Sequence, residues 1–122
     1  MPTVLLIEDD TALADMYCMG LRSHGFEVTH VATATDAVRQ AAELIPELAV
    51  IDIGLPDGNG IDVLSALGRV PGIPPLVAVV FTNFDDPAMM ASAIMRGAAA
   101  YLVKADTTPA RLATVLGQLT PN

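Results

Sequence analysis

Val-Ile-Asp-Ile-Gly-Leu-Pro-Asp-Gly-Asn-Gly fills residues 50–60, and its reading decides the fold. An apolar run from Leu48 to Ile51 stops at a carboxylate, Asp52. Gly54, Pro56, Gly58 and Gly60 then punctuate a few positions before a helical pattern opens at Ile61. An apolar run bounded by turn residues reads as a buried strand, and the stretch after it as a tight loop. The pattern thus delivers one acid to a sheet edge. Taken alone, Asp52 is equally well a strand-end residue that starts a turn. A second acidic cluster tips the reading: Glu8-Asp9-Asp10 ends another apolar run in the same way.

On the N-terminal side, Val4 to Ile7 lies between Pro2 and those acids and reads as a central parallel strand. Thr11 to His24 is helical in pattern, with Leu13, Tyr17 and Leu21 on one stripe and Gly25 placed to end it. Glu27 to Val31 alternates as a second strand. Thr33 or Thr35 can cap a second helix with Asp36 in its first turn. Val38, Ala41, Ala42 and Ile45 would form that helix's inner face, and Pro46 stops it.

On the C-terminal side, Ile61 to Leu67 reads as a short third helix, and Gly68 to Pro75, with Pro71, Gly72 and Pro74, as a connecting loop. Leu76 to Phe81 is a fourth strand with Thr82 at its end. Asp86-Pro87 is a cap followed by a residue that needs no N–H, so a fourth helix starts there, runs to Arg96 and closes at Gly97. Tyr101 to Val103 is a fifth strand ending in Lys104. Thr108-Pro109 starts a fifth helix with Leu112, Val115, Leu116 and Leu119 on its core face. Five strands alternating with five helices imply an α/β fold, a doubly wound parallel sheet in one domain over residues 1–122.

Composition narrows the function. Fourteen acids against six bases give a net charge of −8, which argues against direct nucleic-acid binding because phosphate contacts need clustered Lys and Arg. The apolar runs fall far short of a membrane span and no signal peptide precedes the first strand, so a cytoplasmic location is expected. The single Cys18, in a helical pattern, reads as a packing residue. The chain stops soon after the fifth helix, so no second domain is expected. Lys104 is the only lysine, which makes its position informative.

In an open parallel sheet, ligands sit beyond the carboxyl ends of the strands. Those ends carry Glu8 and Asp9, Asp52, Thr82 and Lys104, while the second strand ends in Val31 and Ala32 with nothing reactive. Separately, Thr82 reads as a β-branched strand residue and Lys104 as a solvated strand end. Jointly they form a set. Three converging carboxylates repel unless a cation is present, and hard oxygen donors without His or Cys favour Mg²⁺. A metal-held carboxylate beside a hydroxyl and an ammonium suits phosphoryl transfer, in which the carboxylate attacks phosphorus.

Four segments together resemble the receiver domains of two-component response regulators: Val-Leu-Leu-Ile-Glu-Asp-Asp (4–10), Asp-Ile-Gly-Leu-Pro-Asp-Gly-Asn-Gly (52–60), Val-Val-Phe-Thr (79–82) and Gly-Ala-Ala-Ala-Tyr-Leu-Val-Lys (97–104). The resemblance covers essentially the whole chain and implies a flavodoxin-like sheet of order 2-1-3-4-5. It implies that Asp52 is the phosphoacceptor and that Glu8 and Asp9 hold Mg²⁺, Asp9 directly and Glu8 through water, with the backbone carbonyl of Gly54. It implies Thr82 as the switch hydroxyl, Tyr101 as the aromatic switch, and Lys104 as the ammonium facing the phosphoryl group. A histidine kinase or histidine phosphotransfer protein would be the donor. The domain would support its own phosphorylation and slow dephosphorylation without being an enzyme.

The chain departs from that family's pattern in places. Ala105 follows the lysine where the family usually has a cis proline. A cis peptide before alanine costs about 2.5–4 kcal/mol, so the expectation is a trans bond with a rearranged loop or a strained cis bond. Asn83 follows Thr82 where a small residue is usual, and would narrow access to the phosphoryl group. Gly54 and Phe84 stand two beyond Asp52 and Thr82, and neither side chain can orient an attacking water, so a long-lived acyl phosphate is expected.

The family's output face, the fourth helix, fifth strand and fifth helix, would carry Met89, Met90, Met95, Arg96, Tyr101, Asp106 and Arg111. Helical spacing favours a core role for the methionines, with an adaptable contact surface as the alternative. Arg96 and Arg111 with Asp85, Asp86 and Asp106 would suit a phosphorylation-dependent symmetric dimer. Other readings are an unphosphorylated docking module, an Mg²⁺-dependent aspartyl-phosphate hydrolase and a flavin-binding protein. The hydrolase needs a second acid where Gly54 stands, and the acidic first loop would repel a flavin phosphate.

Overall fold

The strands and helix starts fall where apolar runs and capping residues put them. The computed structural model describes residues 1–69 and 76–120. Its elements are β1 (Thr3–Ile7), α1 (Thr11–Ser23), β2 (Glu27–Val31), α2 (Ala34–Leu44), β3 (Leu48–Ile51), β4 (Gly54–Leu55), β5 (Gly58–Asn59), α3 (Gly60–Leu67), β6 (Val77–Thr82), α4 (Pro87–Met95), β7 (Ala100–Val103) and α5 (Pro109–Leu119). A five-stranded parallel sheet has the order β2-β1-β3-β6-β7. Counting only its own strands, this is the doubly wound order 2-1-3-4-5. The two-residue strands β4 and β5 pair antiparallel inside the loop after Asp52, a ladder too short for any periodicity to announce.

Successive side chains of a strand point to opposite faces, and this sorts the core into two layers. On one face Leu5, Ile7, Ala49, Ile51 and Val80 pack with Ala37 and Ala41 of α2, Ile61, Val63, Leu64 and Leu67 of α3, and Ala93 of α4. On the other, Val4, Leu6, Leu48, Val50, Val79 and Phe81 pack with Ala14, Tyr17, Cys18 and Leu21 of α1 and Leu112, Ala113 and Leu116 of α5. Cys18 is a buried free thiol, as its helical setting suggests. Among the described residues no helix is long and apolar enough to cross a membrane.

Caps match the sequence signs. Thr33 accepts from the Asp36 N–H, Asp86 from the Ala88 N–H, and Thr108 from the Arg111 N–H. Several expectations are corrected. The inner face of α2 is Ala37 and Ala41 with Val38 partly buried, whereas Ala42 and Ile45 are exposed. Ala42 stands about 100° around the axis from Ala41 and so leaves the stripe. Ile45 lies past the helix end in the left-handed region, φ 48°, which turns it outward. Of the α4 methionines only Met89 packs against the core, partly buried, while Met90 and Met95 are exposed, since α4 fully buries only Ala93. Lys104 does not end β7 but opens a 3₁₀ turn, Lys104–Asp106. Of the loop expected over Gly68 to Pro75, residues 70–75 lie outside the described residues.

Candidate functional site

Level strand ends gather the acids. Ile7 is paired with Ile51 across β1 and β3, and Ile51 with Val80 across β3 and β6. The ladder runs one residue further, because the Asp52 N–H donates to the Ile7 carbonyl at 3.0 Å and the Glu8 N–H to the Val31 carbonyl at 3.0 Å. Backbone pairing therefore fixes Glu8 and Asp52 side by side at the rim. Asp10 is drawn off to cap α1, accepting from the Leu13 N–H at 3.1 Å, which leaves Glu8 and Asp9 for the cleft. A carboxylate oxygen from each of Glu8, Asp9 and Asp52 lies within 4.8 Å of the others. Glu8 and Asp52 are buried and Asp9 is exposed.

Lys104 enters from β7. Its Nζ stands 2.9 Å from Asp52 Oδ2 and pairs also with Glu8 Oε1. Among the described residues the buried Oε1 has no partner besides this ammonium. The ammonium also sits 5.9 Å from the Phe81 ring centroid, within cation–π range. Burial pushes the Glu8 carboxyl above the usual range and the Asp52 charge adds to this, while Lys104 opposes. Burial also acts to lower the Lys104 value, but the Glu8 and Asp52 carboxylates together outweigh it and hold the ammonium protonated to higher pH than usual. The site is thus one cation short for three acids. Three carboxylates gathered around a single ammonium, with hard oxygen donors only, fit a divalent ion of the Mg²⁺ type.

Gly60 holds this geometry by its bareness. A Cβ there would stand 2.0 Å from the Asp52 carbonyl oxygen, and its N–H donates to the Ile53 carbonyl at 2.8 Å. Gly54 follows Asp52 at the rim, its N–H 3.4 Å from Asp52 Oδ1.

Thr82 is fully buried beside the Lys104 turn, paired with Val103 across β6 and β7. Its hydroxyl oxygen accepts from the Phe84 N–H at 3.3 Å, and among the described residues it makes no hydrogen bond to Asp52 or Lys104. The Tyr101 hydroxyl donates to the Phe84 carbonyl. Thr82 and Tyr101 therefore grip the same residue from its two ends. The Phe84 ring edge stands 3.5 Å from where a Gly54 Cβ would be, so these two positions face each other over the rim. Of the basic output-face residues, Arg96 reaches back to Asp62 at 3.4 Å and Ser65 at 3.3 Å on α3.

The sequence reading missed two holds on this site. The His30 ring nitrogen Nε2 donates to the Glu8 carbonyl at 2.6 Å, although β2 ends in nothing reactive. Asp57 accepts from the Ala34 and Thr35 N–H groups at 2.6 and 3.1 Å and from the Thr35 hydroxyl at 2.8 Å, tying the loop after Asp52 to the start of α2. Neither contact has a local sign, since each joins residues more than twenty apart. Among the described residues there is no cis peptide bond, so Lys104-Ala105 is trans.

The family model for the response regulator receiver domain matches residues 4–116. The DNA-binding response regulator MtrA of Mycolicibacterium paratuberculosis (strain ATCC BAA-968 / K-10) is 34% identical over 101 residues, which are 83% of this chain and 44% of that protein. The chain thus spans less than half the length of this curated relative. Among solved structures, the CheY-like response regulator receiver domain from Methanospirillum hungatei JF-1 superposes with a TM-score of 0.90 at 26% identity, covering 98% of this chain and 93% of that one. The BeF₃-activated N-terminal receiver domain of RstA from Klebsiella pneumoniae gives 0.84 at 26% identity, covering 95% and 96%.

Proposed function

Because the chain belongs to the response regulator receiver domain family, we propose that it accepts a phosphoryl group on Asp52 and switches conformation in response. The observation that carries this reading is the Lys104 ammonium 2.9 Å from Asp52 Oδ2 inside a buried acidic trio. An Asp52 oxygen forms a bond to the phosphorus of a phosphohistidine on a histidine kinase or phosphotransfer protein. The P–N bond breaks and the imidazole leaves with its electron pair. Lys104 fixes the carboxylate's orientation before attack and faces the charge on the phosphoryl oxygens after it. Glu8, Asp9, Asp52 and the Gly54 carbonyl would hold Mg²⁺, which supplies the remaining positive charge against those oxygens.

The Thr82 hydroxyl oxygen accepts from the Phe84 N–H, so its turn toward the phosphoryl group shifts that contact. Tyr101 is bonded to the carbonyl of that same residue, so movement of the loop is passed to β7. The partner-facing surface is α4, β7 and α5, where a phosphorylation-dependent homodimer forms. Residues 1–122 act as one cytoplasmic receiver domain that neither turns over a substrate nor touches nucleic acid itself. Phe84 and Gly54 place no polar side chain to direct water, so the acyl phosphate outlasts a few seconds.

Incubation with acetyl phosphate and Mg²⁺ followed by intact mass tests the chemistry. The protein gains the mass of one phosphoryl group and Asp52→Asn does not. Equal uptake by Asp52→Asn, or none by either protein, would overturn it.

A further inference from the structure

Two departures from the family pattern turn out to touch. The Ala105 N–H donates to Asn83 Oδ1 at 3.2 Å. A proline at 105 would have no N–H to give. The bond spans from the residue after Thr82 to the residue after Lys104, and so links the loops at the ends of β6 and β7. Lys104–Asp106 form a 3₁₀ turn, and a single turn of this kind has little stability of its own. Its far end is held separately: the Thr107 hydroxyl donates to the Val103 carbonyl at 2.8 Å, and the Tyr17 hydroxyl from α1 donates to the Thr107 carbonyl. Thr107 is buried, but Ala105 and Asn83 are exposed; besides the ion pairs of the Lys104 side chain and the turn's own bond from the Thr107 N–H to the Lys104 carbonyl, this bond is what holds the near end of the turn.

We propose that Asn83 is a positioning residue for Lys104: by accepting the Ala105 N–H it holds the trans turn in the place that sets the ammonium between Glu8 and Asp52. The role assigned to Lys104 rests on the phosphoacceptor reading, but the brace itself does not. Asn83 then does more than narrow the approach to the site. It replaces, with a side-chain hydrogen bond, a constraint that proline would build into the backbone.

The chain's single lysine makes the test direct. Lys104 is labelled with an amine-reactive ester at neutral pH and read by peptide mass, with the Met1 amine as internal reference. Asn83→Leu keeps the branched shape and removes the acceptor; Asn83→Ala is the smaller alternative should leucine disturb folding. Both are measured where the far-ultraviolet spectrum and thermal midpoint match the parent. Loss of one hydrogen bond is expected to raise Lys104 labelling relative to Met1, and exchange of the Ala105 amide in NMR, by roughly two- to tenfold. A general loosening would instead speed the Met1-normalised labelling and exchange across neighbouring amides alike. Unchanged Lys104 labelling in the folded variants overturns the proposal, as does faster exchange that spreads evenly over the β7–α5 connection. Phosphate uptake is not the readout, because shortening Asn83 also widens the approach. The brace therefore stands or falls by labelling and exchange even if Asp52 takes up no phosphate.

Discussion

At the scale of one residue, Lys104 is the charge that lets two buried acids share a rim. Its side chain is only 10% exposed, and its partners Glu8 and Asp52 are as closed off. Removing one member of a buried ionic cluster strands the others, at about 3–5 kcal/mol. Lys104→Met is therefore expected to lower stability by that order at neutral pH in chemical denaturation. The pH dependence has two limbs. Glu8 is held above its usual value, so below that range it takes up a proton, the repulsion in the variant fades and the gap to the parent narrows. Lys104 is held above its own ordinary value of about 10.4, so its contribution is complete below that pH and is lost as pH rises through the folded value. A gap that stays flat into acid would refute the assignment. The identities of these residues were legible because each directly follows the apolar run of a strand. The directions of their side chains were not: that Thr82 faces Phe84 rather than Asp52 depends on a loop whose shape no local pattern encodes.

At the scale of elements, the loop between β3 and α3 is the part most tightly bound to the site. Gly60→Ala would drive a methyl into the Asp52 backbone, and overpacking of that kind costs about 1–3 kcal/mol. A fall in the denaturant midpoint of that order is expected, with lower phosphate uptake than stability alone explains. Asp57 ties the same loop to α2, and its backbone and hydroxyl donors hold its carboxyl below the usual range. A group depressed in the folded state contributes stability above its unfolded value and loses it as pH falls. Asp57→Ala should thus be less stable than the parent at neutral pH, and the two melting temperatures should converge below about pH 3.9. The strands and helix starts were legible because burial and caps are local in sequence. The short β4–β5 ladder, the 3₁₀ turn at Lys104 and the early end of α2 were not, because each is too short to leave a periodic pattern.

At the scale of the whole molecule, alternation pointed to a doubly wound parallel sheet and the family resemblance to its strand order, but which helix faces stay uncovered followed from neither. Spacing on α4 favoured a buried role for its methionines, and the fold instead leaves Met90, Ile94 and Met95 exposed together with Phe84. For a protein of net charge −8, self-association through such a face works against repulsion between copies. The proposed dimer is therefore expected to appear on treatment with beryllofluoride and Mg²⁺, to strengthen with added salt, and to be lost in Ile94→Glu. Sedimentation that reports an unchanged mass after that treatment would remove it. Ile45, the one non-glycine residue among those described with positive φ, has a separate consequence. A β-branched side chain is poorly suited to that backbone, and relieving such a conformation returns on the order of 1 kcal/mol. Ile45→Gly is expected to melt a few degrees higher in calorimetry. The bend after α2 is thus a place where heat tolerance can be engineered without disturbing the proposed phosphate chemistry at the opposite ends of the strands.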